Sequence, residues 1–144
     1  MSELSKSRLK LWVRMLGVTR AAEADLREFL RLRHDTTLPR FDVLAALYRR
    51  REGCTMSELS RMLLVSNGNA TAVVDRLEKD GHVRRTPSPT DRRTVFVALT
   101  PEGLAGFEGL AAEHEEEIDR IFGDLSREEI ETLTNVFKRI GVKR

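Results

Sequence analysis

The chain has 144 residues, 40% of them hydrophobic and 33% charged, which suffices for one sizeable core without disulfides or a structural metal and excludes a disordered chain. The formal net charge of +2 says little by itself, but the charges are segregated. Between Arg76 and Arg93 six bases (Arg76, Lys79, Arg84, Arg85, Arg92, Arg93) face three acids, whereas from Glu108 to Glu131 ten acids face two bases, as expected of one surface built for polyanions and another kept clear of them.

The first stretch, Ser5 to Arg33, lacks proline and repeats apolar residues at Leu9, Trp12, Val13 and Leu16, then at Ala22, Leu26, Phe29 and Leu30. That is helical spacing, interrupted around Gly17 to Arg20. A helix of this length reaches roughly 40 Å at 1.5 Å per residue, wider than a small domain, so part of it projects and needs a partner. Lys10 and Arg14 break its apolar run, and no small-residue cleavage site follows, which argues against a signal peptide or a membrane span.

Pro39 then suits the first turn of a short amphipathic helix carrying Phe41, Leu44, Leu47 and Tyr48, with Gly53 as its stop. Thr55 and Glu58 form a capping box opening the next helix. Ser66 caps a third, with Val73, Val74 and Leu77 inward and Gly81 at its end. Two helices joined by a tight turn make a helix-turn-helix. Two strands, His82 to Thr86 and Thr94 to Thr100, flank a Pro-rich loop ending in Asp91, Arg92 and Arg93. Thr100 and Pro101 open a long helix with a 3.5-residue seam through Leu104, Phe107, Ala111, His114, Ile118 and Ile121. Ser126 and Glu129 form a second capping box, and Ile130, Leu133, Phe137 and Ile140 line one face of the last helix.

A helix after a tight turn fits the DNA major groove with its N-terminal residues toward base edges and phosphates. Here those residues are Ser66, Asn67, Asn69, Ala70 and Thr71. An Arg-bearing hairpin tip fits the minor groove, and Asp91 is expected to orient one guanidinium through a bidentate pair. Enzymatic signatures are lacking: there is no phosphate-binding glycine loop, nucleophile elbow or distinct carboxylate pair. His34, His82 and His114 lack metal-ligand spacing, so neither a metal nor another cofactor is expected. The single Cys54 excludes an intrachain disulfide framework and fits a cytoplasmic, reducing setting.

These motifs together resemble the MarR family of bacterial transcriptional regulators. Its wing pattern, D-x-R followed by V-x-L-T, is met by Asp91, Arg93, Val97, Leu99 and Thr100. Its recognition-helix region matches Val65 to Arg85, and Leu38-Pro39 precedes the short apolar helix. The resemblance implies one domain over residues 1–144, mainly α with a small two- to three-stranded β-wing. Residues 39–99 would form a winged helix-turn-helix, with dimerisation helices at 1–35 and 100–144 interlocking through Leu9, Leu104, Ile118, Ile130, Phe137 and Ile140. It implies a homodimer on a pseudo-palindromic double-stranded operator, with Arg93 in the minor groove beside Arg92 and with Arg76 adding to the DNA surface. Ala72 stands where many members carry Arg, which shifts reliance to Asn67, Asn69 and the wing.

The resemblance further implies a repressor released by a small aromatic ligand in a cleft between the dimerisation helices and the DNA-binding lobe. Trp12, Met15, Leu16, Arg33, His34, Arg40 and Phe41 are the candidate lining. "TLPRFDVLAAL" is similar to the branch controlling hydroxycinnamate and related aromatic catabolism, which implies an aromatic acid or its CoA thioester. Two alternatives are an architectural or protein-interaction module without ligand control, and a redox-sensing repressor using Cys54.

Overall fold

The computed structural model describes residues 1–63 and 67–141, excluding the side chains of 67 and 68. Helix α1 runs unbroken from Glu3 to His34, capped by Ser2, whose hydroxyl accepts from the Ser5 N–H. The expected interruption near Gly17 does not occur: Gly17 faces open space, and one glycine costs only ~1 kcal/mol against the many other good helix formers. Asp35 ends the helix in the left-handed region at φ 48°, a conformation Asp tolerates better than most residues. Only Ala22, Leu26, Phe29 and Leu30 of α1 are buried, all in its C-terminal half. Residues 1–14 are exposed throughout.

Helix α2 (Leu38–Arg49) starts at Thr37, whose hydroxyl accepts from the Arg40 N–H, and buries Phe41, Val43, Leu44, Ala46 and Leu47. This wide apolar face makes α2 the centre of the core. Strand β1 (Cys54–Thr55) leads into α3 (Met56–Met62), whose capping box forms as its sequence dictates: Thr55 accepts from the Glu58 N–H, and the Glu58 carboxylate accepts from the Thr55 N–H. Helix α4 (Asn67–Lys79) follows; its expected cap, Ser66, lies outside the described residues.

Strands β2 (Val83–Pro87) and β3 (Val95–Leu99) pair antiparallel from Val83 opposite Leu99 to Pro87 opposite Val95. β1 adds to the other edge of β3, giving the order β1-β3-β2. Gly53 permits this third strand: at φ 95° it passes so close to the Val97 carbonyl that a Cβ would stand 3.0 Å from its oxygen. Helix α5 (Pro101–Ile121) is capped by Thr100, and α6 (Arg127–Gly141) by the reciprocal Ser126–Glu129 bonds.

One cluster of buried side chains joins α1, α2, α3, α4, the sheet and α5. At its edge His114 stacks on Phe41 with ring centroids 4.1 Å apart. Burial holds the His114 imidazole below its ordinary pKa of 6.5. As pH falls through that ordinary value the unfolded chain takes up the proton before the folded one, so stability is lost until the depressed folded value is reached. His114→Phe is expected to reduce the drop in melting temperature between about pH 7 and pH 5; thermal scans showing the same drop in both proteins would contradict this role.

Candidate nucleic-acid interface

Helix α4 divides its residues by periodicity. Ala70, Val74 and Leu77 point into the core and are at most 2% exposed, while Asn69, Thr71, Ala72, Asp75 and Arg76 face outward. Ala70 therefore has to be removed from the expected DNA-facing set. Its i, i+4, i+7 relation to Val74 and Leu77 places it on the inner stripe. Of the other expected residues at this end, Asn69 and Thr71 stand on the outer face, and Ser66 and the Asn67 side chain lie outside the description.

The β2–β3 loop is closed by two backbone bonds, Ser88 N–H to the Thr94 carbonyl and Thr94 N–H to the Asp91 carbonyl. The Asp91 carboxylate accepts from the Arg93 backbone N–H and the Thr94 hydroxyl, each at 3.0 Å. This corrects the expected bidentate pairing with a guanidinium: Asp91 fixes the turn as an Asx motif instead. Among the described residues no carboxylate lies within 4.0 Å of the Arg92 or Arg93 guanidinium, and both side chains are exposed.

Arg85 is committed within the chain. Its guanidinium spans Asp75 at 2.6 Å and Glu78 at 2.8 Å, and its backbone N–H donates to Glu78. The wing is thus tied to the outer side of α4. Arg76 is partly committed as well, to Asp80 at 3.1 Å one turn away. The sequence carried no local signal for the Arg85 clamp, since seven and ten residues separate the partners and only the β2–α4 packing joins them. Arg85→Ala is expected to cost about 1–2 kcal/mol in urea unfolding, a charge-assisted value reduced because Asp75 is well exposed; unchanged stability would deny the clamp.

The expected ligand residues do not converge. Trp12 and Arg33 lie on one straight helix, some ~30 Å apart along its axis at 1.5 Å per residue, so Trp12, Met15 and Leu16 cannot line the same cleft as Arg33, His34 and Arg40 within one chain. Phe41 is core, 6% exposed and packed on Phe107 and His114. Arg33 pairs with Glu113 at 3.0 Å. His34 Nε2, a buried atom, lies 2.9 Å from the other oxygen of Glu113 and has no hydrogen-bond partner among the described residues. Two concavities meet at Thr36 and Arg40: one of ≈ 210 Å³ includes His34, Leu44, His82 and Phe107, and a broader groove of ≈ 560 Å³ runs beside α4 past Arg27, Arg31 and Arg76. Arg27, Arg31 and Ala72 were not among the expected lining.

The expected dimer residues separate into two groups. Leu9, Ile130, Phe137 and Ile140 are 47–53% exposed and Leu133 is 42% exposed, and α6 buries nothing. The α5 seam is different: Phe107 and Leu110 enter the chain's own core, and Leu104 and Ile118 are already half-buried. Its 3.5-residue spacing thus serves intrachain packing in its first half.

Comparison with known proteins fits this architecture. The sequence profile of the MarR family matches residues 34–94. The chain is 30% identical over 139 residues to the HTH-type transcriptional regulator MhqR of Bacillus subtilis, covering 96% of this chain and 94% of MhqR. It is 35% identical over 108 residues to the multiple antibiotic resistance protein MarR of Salmonella typhimurium, covering 74% of each. A mutant MarR from E. coli, solved in complex with operator DNA, superposes with a TM-score of 0.81 at 30% identity over 96% of this chain and 99% of that one. These relatives are regulators rather than enzymes, and on this likeness over nearly its full length the chain belongs to the MarR family of transcriptional regulators.

Proposed function

We propose that the protein is a homodimeric, sequence-specific DNA-binding repressor that inserts α4 into the major groove and the wing into the flanking minor groove. The observation that carries this reading is the allocation of charge around α4. Arg85 and Arg76 are engaged by the chain's own acids, while Arg92 and Arg93 sit on a turn stiffened by Asp91, and no described carboxylate pairs with their guanidinia. A turn ordered before binding loses less entropy on docking, and a narrow minor groove attracts Arg through its negative potential. That the similar E. coli protein was solved on operator DNA supports the reading. In fluorescence anisotropy, a duplex enriched by the protein from a random pool is expected to bind at least roughly a thousandfold more tightly than a scrambled one. Equal, purely salt-dependent binding to both would point to an architectural role instead.

The effector in this proposal is an aromatic carboxylate, as the free acid or its CoA thioester. The smaller cavity suits an aromatic ring, with Arg40 and His34 at its rim, and the adjoining groove carries Arg27, Arg31 and Arg76, whose exposed pairs with Glu23, Glu28 and Asp80 CoA phosphates would have to displace. Calorimetry with a hydroxycinnamic acid and with its CoA thioester tests this, and heat from neither would end it. Redox control has less support: Cys54 is wholly buried, and burial pushes its thiol pKa up, away from the reactive thiolate.

A further inference from the structure

The end of α4 and the start of α5 are locked backbone to backbone. Gly81, at φ +83°, closes α4, and the following His82 N–H returns to the Leu77 carbonyl at 2.9 Å. The carbonyls of Gly81 and His82 then point at the first residues of α5. Thr100 donates its hydroxyl to the Gly81 carbonyl at 2.6 Å and its N–H to the His82 carbonyl at 3.0 Å. The same hydroxyl accepts from the Gly103 N–H at 3.0 Å, so one side chain both caps α5 and holds the end of α4.

Gly103 makes this approach possible. A Cβ there would overlap the His82 carbonyl oxygen and lie 2.8 Å from the His82 carbonyl carbon, atoms that no rotamer change can move aside. Gly106 and Gly109 on the same helix face open space, so the demand for glycine is specific to this crossing. The closing pair of the wing, Val83 opposite Leu99, abuts the same point. Rotating α4 against α5 therefore requires breaking the Thr100–Gly81 bond or opening the Gly103–His82 contact.

We propose that Thr100 and Gly103 are positioning residues that set the geometry of α4 relative to α5 and thereby the half-site spacing the dimer accepts. This rests on the reading of α4 as the recognition helix and of α5 as part of the dimer body. In a two-fold dimer, whatever fixes α4 on α5 also fixes the separation and tilt of the two α4 helices. A single inserted base pair turns one half-site by roughly 35° and shifts it by about 3.4 Å, so a rigid joint rejects it and a loose one tolerates it.

Two readouts test the joint. Spin labels at Asn69→Cys and Glu116→Cys in a Cys54→Ser background, diluted with unlabelled protein, report the α4–α5 distance within one chain, without need of DNA or of the dimer. A narrow distribution is expected for the parent and for Thr100→Ser, which keeps the hydroxyl, and a broadened or shifted one for Thr100→Val and Gly103→Ala. On the enriched duplex and on versions with one base pair inserted or deleted between half-sites, the parent and Thr100→Ser are expected to prefer the native spacing by roughly tenfold or more. Thr100→Val and Gly103→Ala should lose most of that preference while remaining dimers. Should Gly103→Ala fail to fold, Thr100→Val decides. Unchanged distance distributions overturn the joint, and changed distributions with unchanged spacing preference overturn its role in spacing. A parent protein that shows no spacing preference refutes the DNA-binding reading, while the label distances still support or overturn the joint.

Discussion

Phe137→Asp is expected to turn the protein into a folded monomer and to weaken operator binding strongly. Helix α6 exposes Ile130, Leu133, Phe137 and Ile140 on one face and buries nothing against the rest of the chain. Leu9, Trp12 and Val13 on the projecting half of α1 are 53–58% exposed. Apolar stripes of this extent mark a surface that is covered in solution. Burying a Phe side chain is worth about 1.5–3 kcal/mol, and two-fold symmetry places each substitution at the interface twice. A carboxylate at that position adds the cost of desolvating a charge without a partner. Since α6 contributes no residue to the described core, circular dichroism should show the fold intact while sedimentation shows the monomer. Loss of the second half-site then weakens operator binding by roughly 10²–10⁴-fold, the usual gain from linking two sites. A Phe137→Asp protein that remains dimeric with parental affinity would remove α6 from the interface.

Arg93→Ala is expected to leave the dimer and the fold unchanged and to weaken operator binding by about 1–3 kcal/mol for each wing engaged. The side chain is exposed and pairs with no carboxylate among the described residues, so its removal leaves their packing in the free protein unchanged. Asp91→Ala should have a smaller effect of the same kind, because it removes the two bonds that stiffen the turn and leaves the guanidinium in place. Anisotropy titrations of both variants against the parent measure the order. Parental affinity in Arg93→Ala, or a larger loss in Asp91→Ala, would place the DNA contact elsewhere on the wing.

The features legible in the sequence were those fixed by neighbours three or four residues away. Thr55 with Glu58, Ser126 with Glu129, and Thr100 before Pro101 each act within one helical turn, and all three cap as their spacing dictates. Gly81 likewise stops α4 at the expected residue. The failures involve residues whose role is set by something distant in the chain. Asp91 turned to the Arg93 N–H and the Thr94 hydroxyl, because these two donors of the turn are closer at hand than a flexible guanidinium. Arg85 found Asp75 and Glu78 only because β2 packs beside α4. Within one chain α1 does not break at Gly17, which leaves Trp12 far from Arg33. Gly103 is one of three glycines in α5, and only the distant His82 carbonyl sets it apart.

The central claim is that two copies of α4 and its wing read DNA together. Hydroxyl-radical footprinting on the enriched duplex tests it most directly. The expected pattern is a pair of protected segments related by a dyad, with centres about 10 base pairs apart, each flanked by minor-groove protection that disappears in Arg93→Ala. A single asymmetric footprint, or uniform weak protection unaffected by Arg93→Ala, would contradict it.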